Sequence, residues 1–238
     1  MSDKAHFESE LKPGIFLSPG YYMAFWHDVV LKQFSHEVVV SHVKFKPYRE
    51  AWVGAIMAAA QTMATGSKYY VGPPKGEPSD VDIVRLEDIK MKKSGRIGTG
   101  ISRLNIQIIR CDLLTENILD QVLKKNKPAY EGMIVAVYVY GREDESDFDS
   151  IFEALKKEKK IYPESIVAVE QVEVADGIKQ MEGTYGITGL YPAIGATLVN
   201  RKDSDAFFFE PPVFRPTPGK VGTEWEELGT FKLLPPKL

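Results

Sequence analysis

GMIVAVYVYG, residues 132–141, is an unbroken apolar run closed by a glycine at each end. A half-exposed strand alternates apolar and polar residues, so a run with no polar interruption predicts a central strand covered on both faces. It is too short to cross a bilayer as a helix, and its Val, Ile and Tyr content favours extended structure. A strand of that kind needs helices above and below it, and the flanking sequence predicts them. On the N-terminal side, Thr115 caps a helix running to about Lys127, which Pro128 helps to stop. On the C-terminal side, Ser146 caps DFDSIFEALKKEKK (147–160), acidic first and basic last as the helix dipole prefers. SIVAVEQVEV (165–174) then reads as another strand.

Further outward, ISRLNIQIIRCDL (101–113) alternates, with Leu104, Ile106 and Ile108 on one face and Arg103, Asn105, Gln107 and Ile109 on the other. This predicts a strand with one polar face. PYREAWVGAIMAAAQTMAT (47–65) is a helix signal with proline in its first turn and Gly66 just past its end. Its apolar residues run round most of the circumference, which predicts deep burial. SKYYVG (67–72) and DVDIVRL (80–86) read as strands, EDIKMKKSGRIGTG (87–100) as a mobile loop or hairpin tip, and YYMAFWHDVVLKQF (21–34) as a helix. HEVVVSHVKF (36–45), rich in valine, predicts a strand. The expected architecture is a single α/β domain over residues 1–238, a mixed central sheet flanked by helices. Its core spans about 47–174, with an N-terminal arm at 1–20 and a Gly-, Pro- and aromatic-rich C-terminal extension at 177–238.

Composition narrows the class. The 238 residues carry a net charge of −3, with a pI near 5.9. This disfavours a DNA-coating role while leaving room for a local basic surface. Cys111 is the only cysteine, so neither an intrachain disulfide nor a multi-cysteine zinc site is available, and a cytoplasmic, reducing home is expected. The polar start has no signal-peptide core, and no apolar run approaches the ~18 residues of a membrane span, so no membrane partner is expected.

EPSDVDIVRLE (77–87) places two aspartates two positions apart at the head of an apolar run. With a helix before it, a polar-faced strand after it and helix–strand–helix–strand beyond, this order resembles the restriction-endonuclease-like, PD-(D/E)xK nuclease superfamily over about 47–174. The resemblance implies a metal-dependent nuclease-like protein acting on or binding DNA, with Mg²⁺ or Mn²⁺ held by carboxylates and activating a water. Carried onto this sequence, Asp82 takes the place of the strand aspartate, with Asp80 as its alternative. Glu50 takes the place of the helix acid, and Gln107 that of the third-strand acid. Ile109 then stands where the family has lysine, so the third-strand motif is degenerate. A literal DIK occurs at Asp88–Lys90, too close behind Asp82 to lie on a separate strand. Lys90, Lys92, Lys93, Arg96 and Arg103 are the residues expected to meet phosphates.

Plainer readings stand beside these. Asp80 and Asp82 after PPKGEP suit a turn and a strand head, Glu50 suits the start of a helix, Gln107 suits a hydrogen bond to a neighbouring strand, and the lysine run suits a solvated loop. Two other functions compete. One is a non-enzymatic binding or assembly subunit that meets a second copy or a protein partner through the C-terminal extension. The other is an RNA-processing ferredoxin-like protein using GITGLYPAIG (186–195) as a glycine-rich phosphate loop.

Overall fold

The computed structural model describes residues 7–74, 76, 79–90, 97–113, 115–140, 147–171, 184–200, 206–209, 212–218, 223–228 and 231–238. In chain order the strands are β1 (Phe7–Ser9), β2 (Phe16–Leu17), β3 (Tyr69–Gly72), β4 (Val81–Lys90), β5 (Ile97–Asp112), β6 (Ile134–Tyr140), β7 (Ser165–Gln171), β8 (Thr184–Tyr191), β9 (Gly195–Asn200), β10 (Val213–Pro218), β11 (Thr223–Glu227) and β12 (Phe231–Leu233). The helices are α1 (Pro19–Phe25), α2 (Leu31–Gln33), α3 (His36–Ser41), α4 (Lys46–Thr65), α5 (Ile118–Lys125) and α6 (Phe148–Lys156). The fold is α/β, and the chain resolves into two compact units that interleave in sequence: residues 1–75, 81–104 and 204–238, and residues 76–80 and 105–203. Among the described residues no helix is long and apolar enough to cross a membrane.

The first unit is built on antiparallel pairing in the order β11-β10-β2-β3-β4, with β1 and β12 forming a separate parallel pair. The long helix α4 packs on β3 and β4. Pro47 opens it and Gly66 closes it in the left-handed conformation at φ 71°, its N–H bonded to the Thr62 carbonyl. Gly54 is where the helix touches the sheet. A Cβ there would lie 2.8 Å from the Val71 side chain and 2.9 Å from that of Val81, so only glycine permits this approach. Chain positions 19–33 run as α1, a π-helical stretch at Trp26–Val30 and α2, and Trp26 stacks on Trp52 of α4 at 5.5 Å.

Two expectations fail in this unit. The valine-rich segment 36–45 is α3 followed by a 3-10 turn (Val43–Phe45), not a strand. The Ser35 side chain accepts a hydrogen bond from the Val38 N–H at the start of α3, and the Arg49 guanidinium donates to the Val39 and His42 carbonyls at its end. With both ends satisfied, weak helix propensity is overridden. The N-terminal arm is not loose throughout: Phe16 and Leu17 are fully buried, and β2 sits between β3 and β10.

In the second unit β5, β6 and β7 run parallel, and β8 and β9 extend the sheet antiparallel. Val135, Val137 and Val139 of β6 pack with Ile109 and Cys111 of β5, Ile118 and Val122 of α5, and Leu155 of α6. The opposite face of β6 is only partly covered. Ala136 is buried, whereas Tyr138 and Tyr140 are half-buried and stacked on each other, with Arg110 over the Tyr140 ring. The predicted central strand is therefore paired on both edges and fully buried on one face. The caps shift by a residue or two: Asn117 caps α5 instead of Thr115, and Asp147 caps α6, while Ser146 lies outside the described residues. The C-terminal extension supplies β8 to β12.

GITGLYPAIG lies across β8, the turn after it and the start of β9, with a cis Tyr191–Pro192 bond in between. A Cβ on Gly189 would strike the Ala193 carbonyl oxygen, so this glycine makes room for a tight hairpin. That corrects its reading as a phosphate loop. The segment 87–100 is strand at both ends, since β4 runs to Lys90 and β5 starts at Ile97; residues 91–96 lie outside the described residues.

Candidate functional site

Asp82 and Gln107 are among the few buried polar side chains of the described residues, alongside Ser18 and Thr184. The predicted acids and amide do not gather into one centre; each is engaged in a pair.

Asp82 is the second residue of β4. Side chains alternate along a strand, so Asp82 faces away from Val81, the residue that meets Gly54 of α4. Opposite it on β3 is Gly72, where a Cβ would collide with the Ile15 carbonyl and lie 2.9 Å from the Phe16 ring. The missing side chain of Gly72 leaves space on that face. Arg103 of β5 fills the role of counter-charge: its Nη1 lies 3.5 Å from Asp82 Oδ2, and its guanidinium stands over the Phe16 ring at 6.0 Å. The side chain of Asp82 is 5% exposed and that of Arg103 40%, so a buried carboxylate is neutralised by a cation that still reaches solvent.

Asp80 works as a substitute for backbone. Its N–H donates to the Ile106 carbonyl at 2.8 Å, and its Oδ2 accepts from the Ile108 N–H at 2.9 Å and from the Gln107 amide. One carboxylate oxygen thus closes hydrogen bonds beside β5, as the strand-head reading expects. Gln107 shares its direction with Ile109 and Cys111, which face the helices of the second unit. The polar face predicted for this strand becomes a core face from Gln107 onward, because the alternation that carries Arg103 and Asn105 outside carries Ile109 and Cys111 into the apolar cluster.

Glu50 lies one turn into α4 and pairs with Lys46 at 3.2 Å, four residues before it. It shares a helix face with Gly54, the side that meets Val71 and Val81, whereas Asp82 points to the other face of β4. Among the described residues no group of three or more His, Cys, Asp or Glu side chains is arranged to hold a metal ion. Of the predicted phosphate contacts, Arg103 is placed as above. Lys90 ends β4, and Lys92, Lys93 and Arg96 lie outside the described residues. The Asp82–Arg103 pair was not foreseen, since both residues were singled out but in different roles. Charges of opposite sign on the neighbouring strands predicted at 80–86 and 101–113 were the available signal.

The chain matches no protein-family description, no curated protein and no solved structure.

Proposed function

We propose that the protein binds nucleic-acid phosphate through a restriction-endonuclease-like core in which a protein cation stands where that family places a metal ion. The element order supports this reading: α4, β3, β4, β5, α5 and β6 in succession, with β3 and β4 antiparallel and β5 and β6 parallel. The observation that carries it is the buried Asp82 carboxylate held by the half-exposed Arg103 guanidinium. A guanidinium fixed beside a carboxylate keeps further N–H donors for a phosphate oxygen and has the planar shape that phosphate binding favours. Unlike a divalent metal it does not lower the pKa of a bound water to near neutrality, so binding is expected without hydrolysis. Phe16 under the guanidinium holds its plane in place.

The test uses the full chain with short duplex DNA, single-stranded DNA and RNA, measured by fluorescence anisotropy over a range of salt. The parent should bind with an affinity that falls as salt rises. Arg103→Gln should weaken binding about tenfold, and Asp82→Asn, which releases the guanidinium, should preserve it. Neither Mg²⁺ nor Mn²⁺ should raise the melting temperature or induce cleavage. Mn²⁺-dependent cleavage by the parent that Asp82→Asn abolishes would establish the nuclease reading instead. Failure to bind any of the three nucleic acids would leave the assembly-subunit reading.

A further inference from the structure

We infer that β9 is a homodimer edge, pairing antiparallel with β9 of a second copy about a two-fold axis near Leu198. Among the described residues, β9 bonds to β8 on one side and no strand pairs with its other side. Exposed edges are ordinarily blunted by charge, proline or a bulge. GATLVN contains no charged residue and no proline, and its ladder with β8 runs in continuous register from Gly195 to Asn200. Leu198 is 58% exposed on this strand, and Ile194, just before it, is 43% exposed. An apolar, regular, unprotected edge is a template for another strand.

Charge selects the occupant. A groove at the N-terminal end of β9 is lined by Asp147 and Asp149 together with Thr188, Ile194, Gly195 and Ala196. The Asp147 carboxyl accepts from the Ser150 hydroxyl and N–H, and these bonds hold it below the usual carboxylate range, so it is charged at neutral pH. At the other end of the strand, Arg201 and Lys202 follow Asn200 directly in the sequence. The strand is thus acidic at its start and basic after its end. Antiparallel self-pairing brings the basic end of one copy to the acidic end of the other at both ends of the ladder, whereas parallel pairing would place like charges together. Centring the pairing on Leu198 sets the two exposed leucines against each other as a cross-strand pair.

Light scattering after size-exclusion chromatography over a range of concentrations tests the proposal on the full chain. The parent should be dimeric, with dissociation favoured by high salt. Leu198→Lys, which places two lysines face to face, should weaken the dimer at least about tenfold while leaving the melting profile of the diluted protein unchanged. Leu198→Cys should form a disulfide-linked dimer under mild oxidation, whereas the parent, whose Cys111 is buried, should not. A parent that stays monomeric at all concentrations overturns the proposal. So does a dimer that persists undiminished in Leu198→Lys, or one in which Leu198→Cys does not cross-link.

Discussion

HEVVVSHVKF (36–45) and MIVAVYVY (133–140) are similar as composition, both dominated by β-branched residues, yet one is a helix with a 3-10 turn and the other a strand between two parallel neighbours. The difference lies in what surrounds them. Val135, Val137 and Val139 are buried on one side of a strand whose two edges are both paired. In the earlier segment Val39 is buried, while Val43 is 75% exposed. Its backbone groups are met locally by Ser35 and, from α4, by Arg49. Valine in quantity therefore does not specify a strand. Available edges and two covered sides do.

Substitutions test this contrast in a graded way. Val137→Asp should unfold the second unit, since an unpaired buried carboxylate costs on the order of 5 kcal/mol, comparable to the whole stability of a domain. Loss of cooperative melting and of near-UV dichroism would report it, and a folded variant would mean that β6 is not the core strand. Removing the Arg49 guanidinium by Arg49→Met should cost about 1–3 kcal/mol in urea unfolding, because it leaves the carbonyls at the end of α3 without their donor. Ser35→Ala should cost about 1 kcal/mol, the usual value of a helix cap. Val43→Thr should stay within about 0.5 kcal/mol of the parent, as expected of an exposed site. If Val43→Thr proved as damaging as Arg49→Met, the segment would be held by its valines after all.

Cys111 gives a pH handle on the same core. Burial, followed by the nearby Glu116 and Asp112, raises its thiol from 9.0 to about 11. A thiol kept neutral in the fold contributes stability that is complete below pH 9 and fades as pH rises toward 11. The parent should therefore lose more stability over that window than Cys111→Ala does, and alkylation of the native thiol at pH 8 should be slow until the unit opens. Equal pH slopes in the two proteins would show that the thiol is not perturbed by the fold.

Much of the helix and strand pattern was legible without coordinates. Pro47 and Gly66 bracket α4 within one residue, and the apolar run at 133–140 gives β6. The caps were misplaced by short steps because Thr115 and Asn117 carry equivalent side-chain acceptors and only the turn geometry selects between them. At the candidate site, Asp82 and Gln107 could be picked out as polar residues within strand patterns, and both are buried. Their partners could not be read in the same way. Arg103 is 21 positions from Asp82 and Gln107 is 27 from Asp80, so each pairing depends on how two strands are aligned.

By itself the sequence determined the elements whose signals are local: a proline and a glycine at the ends of a helix, an uninterrupted apolar run, and alternation along a strand. These act within a few residues, through backbone conformation and the period of side-chain directions, and need no partner from elsewhere in the chain. The tertiary structure alone decided that the valines at 38–40 coil, that Gly54 admits α4 onto β3 and β4, that the face carrying Gln107 turns into a core, and that Asp82 meets Arg103 while Asp80 replaces a backbone acceptor. Those outcomes depend on strand register and on which face is covered. A one-residue slip would exchange inside for outside, and residues far apart in the chain fix the register together.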